Sequence, residues 1–235
     1  MIEVIAFDAD DTLWENESLY HRAKGEFARI LSPYREADWV NCKLDENEVS
    51  NLPVYGYGIK SFTLSMIETA AEVVDGKIEA HTISAILEIA KRMLSAEVEL
   101  LDHTEQTLLQ LSSDYDLMLV TKGDLFEQQR KISRSGIEHC FQLIEVVAEK
   151  TPAKYLEILM KHHIEVDRFL MVGNSLRSDI LPIVAIGGRA VYIPYEHTWF
   201  HEVPEKDEIE GVEYDELEHL GQLPEYMAAL ERTLD

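Results

Sequence analysis

The feature that most narrows what this chain can fold into is a recurring unit. A short aliphatic run is followed by one or more polar residues and then by a segment with helical periodicity. Residues 2–7 close on Asp8. Residues 117–120 close on Thr121, followed by Lys122, Gly123 and Asp124 and by a helical pattern over 125–135 for which Asp124 is a suitable N-cap. Leu143–Val147 leads toward Lys150, and Pro152 is placed to open a helix over 153–162. Residues 169–172 close on Gly173 and Asn174, and residues 190–193 follow the turn at Gly187 and Gly188. Apolar runs without alternation, separated by helices, predict strands buried on both faces of a parallel sheet.

Between the first two runs the rhythm stops. Residues 15–96 have little strand character, and helical patterns recur at 19–31, 61–74 and 82–94. In the second of these, Phe62, Met66, Ile67, Ala70, Val73 and Val74 fall at helix spacing and predict a buried stripe. Pro53 and the segment Tyr55-Gly56-Tyr57-Gly58 predict a loop. The simplest account is an α/β fold, a doubly wound parallel sheet built from residues 1–14 and 97–235 and interrupted by an all-helical domain over 15–96. The aromatics Tyr34, Trp39, Tyr55 and Tyr57 of that insertion are expected to pack an interior or, as the alternative, to line a substrate pocket.

The chain of 235 residues carries a formal charge of −24, which disfavours nucleic acid and anionic membrane as partners. A phosphorylated ligand would be repelled as well, unless a metal ion and a few placed lysines reverse the field locally. Residues 202–218 are expected to be an exposed acidic stretch. The opening MIEVIAFDADD has no basic leader, so no secretory signal is expected, and no apolar run approaches bilayer length. Cys42 and Cys140 are far apart in sequence and predict reduced thiols in a cytoplasmic protein.

In an open parallel sheet the carboxyl ends of the strands form the binding crevice. The polar residues at those ends would therefore converge: Asp8 with Asp10, Thr121, Lys150, and Asn174 with Asp179. This is the inventory of phosphoryl transfer. One carboxylate attacks phosphorus, another acid manages the leaving-group proton, donors hold the equatorial oxygens, and a cation relieves the repulsion.

The sequence around these residues resembles the haloacid dehalogenase superfamily. Phe7-Asp8-Ala9-Asp10-Asp11-Thr12-Leu13 looks like its first motif, Thr121 its second, Lys150 its third, and Gly173-Asn174-Ser175-Leu176-Arg177-Ser178-Asp179 its fourth, all in the family's order. The resemblance implies that Asp8 forms an aspartyl-phosphate and binds Mg²⁺, and that Asp10 protonates the leaving oxygen while its carbonyl binds the metal. It further implies that Thr121 and Lys150 hold the phosphoryl group and that Asn174 and Asp179 complete the metal site. The insertion would be the family's cap, and the substrate a small phosphorylated metabolite.

Within the family, an acid at Asp10 favours phosphatase or phosphomutase over dehalogenase, because a halide leaves without a proton and an alkoxide does not. Asn174 stands where the family more often has Asp, and Lys122 where Asn is common. Lys154 competes with Lys150 for the third motif, and position favours Lys150. The alternatives to a phosphatase are a phosphomutase with the same first step and a signalling or silent phospho-acceptor protein. His197 and His201, with Glu202 beside them, hint at a metal pair but read as surface loop.

Overall fold

The computed structural model describes residues 1–234. Strand β1 (Val4–Phe7) is followed by helices α1 (Glu17–Leu31), α2 (Ala37–Tyr55), α3 (Ile59–Val73) and α4 (Ala80–Ser95). Then come α5 (Thr104–Leu111), β2 (Asp116–Lys122), α6 (Leu125–Arg134), β3 (Leu143–Val147), α7 (Pro152–His162) and β4 (Phe169–Gly173). A π-helical turn at Leu176–Ile180 leads into α8 (Leu181–Ala185) and β5 (Arg189–Tyr192), and α9 (Lys206–Ile209), β6 (Asp215–Glu216) and α10 (Leu223–Leu234) complete the order.

The six strands form one parallel sheet in the order β3-β2-β1-β4-β5-β6. The sheet therefore grows outward from β1 in both directions, and the reversal lies at the central strand. In such sheets this is where the crevice opens. Register aligns the chemistry: Phe7 pairs with Leu119 on one side and Val172 on the other, so Asp8 emerges level with Gly173 at the end of β4 and with Val120, one residue before Thr121, on β2. β1 and β4 are buried along their whole length, which explains their unbroken apolar character. Alternate residues feed two apolar layers. Ile5, Phe7, Leu117, Leu119, Leu170 and Val172 enter one, and Val4, Ala6, Met118, Val120 and Met171 enter the other. Each fully buried aliphatic or aromatic side chain contributes roughly 1.5–3 kcal/mol.

The chain divides into two compact units, Met1–Glu17 with the chain from Val98 onward, and Ser18–Glu97. The second unit has its own core of Phe27, Leu31, Val40, Leu44, Phe62, Met66 and Ile86 among others. Helix α2 departs from expectation, since Pro53 and Tyr55 belong to it and the loop shrinks to Gly56–Gly58. Pro53 sits in the last turn, where it has no N–H to give the Val49 carbonyl one turn earlier, yet the helix runs through it and the Gly56 N–H closes it on Leu52 O at 2.9 Å. The stripe Val40, Leu44, Asn47, Asn51 is buried at helical spacing, but its second half is amide instead of hydrocarbon. Asn47 Nδ2 donates to Thr69 Oγ1 at 2.9 Å, and Asn51 Nδ2 to Ser65 Oγ at 3.1 Å and Glu68 Oε2 at 2.7 Å. Tyr34, Trp39 and Tyr55 are exposed, contrary to the expected interior packing, and the Arg35 guanidinium lies 5.4 Å over the Trp39 ring. The acidic stretch 202–218 holds α9 and β6, and its first residue, Glu202, is largely covered.

Candidate active site

Asp8 is the first residue beyond β1, and its N–H still pairs with Val172 O at 2.9 Å. A tight turn follows. Leu13 N–H returns to Ala9 O at 2.9 Å and Asp11 N–H to Trp14 O at 2.7 Å. Asp11 takes a left-handed conformation, φ 61°, in which Asp is among the better tolerated residues. Its carboxylate accepts the N–H groups of Asn16 at 2.8 Å and Glu17 at 3.0 Å, so it fastens the turn. Burial pushes the Asp11 carboxyl up to about 7 despite these bonds.

Lys150 is the central cation. Its Nζ is bonded to Asp8 Oδ1 and lies 2.6 Å from Asp179 Oδ1. Both Lys150 and Asp179 are almost wholly buried. Burial raises the Asp8 carboxyl to about 7, against the pull of Lys150 and with the neighbouring charges of Asp179 and Asp10 adding to the rise. Burial also works against the Lys150 charge, but the two carboxylates outweigh it and hold the ammonium protonated. The other Asp179 oxygen accepts the Ser175 N–H at 3.0 Å. Gly173 makes room for this carboxylate, because a Cβ there would overlap Asp179 Oδ2. Lys154, the competitor for the third motif, pairs instead with Glu157 on the exposed face of α7.

A set of oxygens gathers on the other side of Asp8. Thr12 Oγ1 donates to Asp8 Oδ2 at 3.3 Å and accepts the Asn174 main-chain N–H at 3.1 Å. One terminal atom of the Asn174 amide lies 3.1 Å from Thr12 Oγ1, 3.2 Å from Asp8 Oδ2 and 3.2 Å from the Asp10 carbonyl oxygen. With nitrogen in that position the amide donates to all three. With oxygen there, a cation is needed to offset the crowding of oxygen lone pairs, and the set is then a hard, all-oxygen one of the kind Mg²⁺ prefers. In that second orientation the donors fit Mg²⁺. Among the described residues no three His, Cys, Asp or Glu side chains group together as metal ligands would.

Asp10 faces a different set of partners. Its carboxylate accepts Trp14 Nε1–H at 2.6 Å, Gln128 Nε2–H at 3.0 Å and Lys131 Nζ at 2.9 Å to each oxygen. Gln128 also donates to Thr121 Oγ1 at 2.8 Å, which ties the end of β2 to the turn after β1. Asp124 caps α6 by accepting Glu127 N–H at 3.0 Å, as its position in the sequence suggests.

Lys122 does not point to open solvent. It is paired with Glu202 and lies 3.0 Å from Ser178 Oγ. Glu202 also accepts Ser175 Oγ–H and Ser178 Oγ–H, both at 2.6 Å. Burial alone would raise the Glu202 carboxyl, but Lys122 and the two hydroxyls outweigh it and bring it down to about 2. His197 and His201 join no cluster of metal-ligating side chains among the described residues, and they pack edge-on to Tyr195 and tilted against Trp199.

Asp8, Lys150 and Asp179 thus form one buried chain of contacts, Asp8 and Asn174 meet at Thr12, and Asp10 meets Thr121 through Gln128. Sequence reasoning missed Trp14, Gln128, Lys131 and Glu202. The one available signal was the spacing of Gln128 and Lys131, three apart on a helix that starts shortly beyond Thr121.

A doubly wound parallel sheet with a helical insertion after its central strand, and polar residues gathered at the carboxyl ends, defines the class: a Rossmann-like α/β protein with its site at the strand ends. The chain belongs to the haloacid dehalogenase-like hydrolases, whose sequence profile matches residues 2–187. A crystal structure of a haloacid dehalogenase-like family hydrolase from Xanthomonas campestris is 38% identical, with a TM-score of 0.85 over 99% of this chain and 97% of that one. The glyceraldehyde 3-phosphate phosphatase of Methanothermobacter thermautotrophicus is 24% identical over 97% of this chain and its own whole length. Fold similarity extends to a 2-haloacid dehalogenase from Pseudomonas syringae, 21% identical, with a TM-score of 0.64 over 98% of this chain and all of that one.

Proposed function

We propose that this protein is a Mg²⁺-dependent phosphatase that hydrolyses a small phosphorylated metabolite through an aspartyl-phosphate on Asp8. The observation that carries the reading is the placement of Asp8. It is a buried carboxylate with one oxygen on the Lys150 ammonium and the other in the oxygen set with Thr12, Asn174 and the Asp10 carbonyl. The full-length similarity to a glyceraldehyde 3-phosphate phosphatase supports the substrate class.

Asp8 Oδ2, the Asp10 carbonyl, Asn174 Oδ1 and Asp179 are the groups that would hold the ion. Bound there, Mg²⁺ supplies charge neutralisation between the nucleophile and an anionic substrate. Asp8 attacks phosphorus while Lys150 and Thr121 hold the equatorial oxygens, and Asp10 gives its proton to the departing alcohol oxygen. Asp10 then takes a proton from the water that cleaves the acyl phosphate, which restores Asp8 and releases inorganic phosphate. A proton donor at Asp10 suits an ester oxygen and has no task with halide, so the reading favours phosphatase over dehalogenase. The helical unit Ser18–Glu97 is read as the cap that selects the substrate. A cytoplasmic location fits the two free thiols, Cys42 and Cys140.

The test is hydrolysis of p-nitrophenyl phosphate with and without Mg²⁺, by wild type and Asp8→Asn. Metal-dependent turnover lost in the variant is expected. Turnover that survives in Asp8→Asn overturns the reading.

A further inference from the structure

We propose that Lys131 and Gln128 are positioning residues that hold the Asp10 carboxylate toward the leaving-group oxygen. The inference deepens the reading above and rests on Asp10 acting as the proton donor.

An ammonium has three protons to give, and Lys131 Nζ has three acceptors: both Asp10 oxygens at 2.9 Å and Asn16 Oδ1 at 2.7 Å. Its side chain is only 19% exposed and that of Asp10 23%, so this pair is more sheltered than a surface ion pair with little to contribute. With Trp14 Nε1 on one oxygen and Gln128 Nε2 on the other, each carboxylate oxygen accepts from two donors, which fixes the plane of the group.

Gln128 does a second thing. It is 2% exposed, and its amide nitrogen lies between Asp10 Oδ2, Thr121 Oγ1 and the Lys122 carbonyl at 2.8–3.0 Å. Thr121 Oγ1 accepts this bond, which leaves the threonine's own proton for another acceptor, the role assigned to it on the phosphoryl group. The amide oxygen of Gln128 is buried without a hydrogen-bond partner. A buried amide left half satisfied is a poor stabiliser, so its value lies in where the nitrogen points. The backbone accommodates it: Gly123 has φ +146°, and a Cβ there would come within 3.3 Å of the Gln128 side chain. Gln128 and Lys131 lie one turn apart on α6, so the seating of a single helix fixes both.

A positioning role predicts a leaving-group signature that a structural role does not. In wild type, kcat/KM for aryl phosphates reports the step in which the phenol departs. Proton donation flattens the dependence of that rate on leaving-group basicity. Wild type, Lys131→Met, Lys131→Arg and Gln128→Leu would be compared on p-nitrophenyl phosphate and phenyl phosphate with saturating Mg²⁺, and thermal unfolding would confirm that each variant is folded. Lys131→Met is expected to lose about tenfold more on phenyl phosphate than on p-nitrophenyl phosphate. Lys131→Arg should recover most of that difference. Gln128→Leu provides the same readout independently should Lys131→Met fail to fold. Equal losses on both esters, or no loss in either variant, overturn the proposal while Asp8→Asn remains dead. Turnover surviving in Asp8→Asn overturns the reading beneath it instead.

Discussion

Lys150 Nζ lies 2.6 Å from Asp179 Oδ1 in a place where neither side chain reaches solvent. The same ammonium is bonded to Asp8, so one buried cation serves two buried carboxylates. Removing one member of such a group leaves an uncompensated charge, which costs about 3–5 kcal/mol. Lys150→Met is expected to destabilise the protein by that order and to lower kcat by at least about 100-fold. Mg²⁺ should restore part of the stability by supplying a cation near Asp8. Urea unfolding with and without Mg²⁺ measures both effects.

Gly173→Ala tests the same group from the other side. A Cβ overlapping Asp179 Oδ2 must displace the carboxylate, because the alternative is to move the end of β4. The expected cost is about 1–3 kcal/mol of stability, together with a loss of activity from misplacement of Lys150. Unchanged activity in Gly173→Ala would show that Asp179 does not position Lys150.

The oxygen set around Asn174 predicts how the metal responds to substitution. Mg²⁺ is expected to raise the melting temperature of wild type, and Asn174→Ala should reduce that shift. Asn174→Asp should bind Mg²⁺ more tightly by restoring a negative charge to the set. Isothermal titration of Mg²⁺ into the three proteins checks the order.

Glu202 gives a pH prediction. Its carboxyl is held at about 2 in the folded protein, below the ordinary 4.5, by Lys122, Ser175 and Ser178 against the opposing effect of burial. A depressed carboxyl contributes stability above its unfolded value and loses it as pH falls toward the folded one, so the window is about pH 4.5 to 2. Glu202→Gln should cost about 2 kcal/mol at pH 7, and the difference from wild type should shrink steadily below about pH 4.5. A difference that stays constant from about pH 7 to about pH 3 would mean that the ion pair with Lys122 does not support the fold.

What could be read from the sequence followed from local rules. The unalternating runs ending at Asp8, Thr121 and Gly173 specified buried parallel strands, since only strands covered on both faces need no polar alternation. Asp124 and Pro152 marked helix starts because a cap and an N1 proline act within one turn. Helix α2 was missed because its inward stripe turns from Val40 and Leu44 to Asn47 and Asn51. A buried amide is readable only when its partners Thr69, Ser65 and Glu68 on another helix are known. The aromatics of the insertion misled for the opposite reason: size suggested burial, but Trp39 is half exposed beneath Arg35.

The sequence by itself determined five of the sheet's strands, though not β6 in the acidic stretch, and the carboxylates, lysine and amide available to a site. These depend on periodicity and on neighbours a few residues apart. Only the tertiary structure decided which charges meet. Lys150 is 142 residues from Asp8, Lys131 is 121 from Asp10, and Glu202 is 80 from Lys122. A lysine has the same sequence signature whether it is solvated, like Lys154 on its exposed helix face, or buried between two aspartates, like Lys150. The distinction comes from desolvation and from distances fixed by strand register, and neither is a property of the local chain.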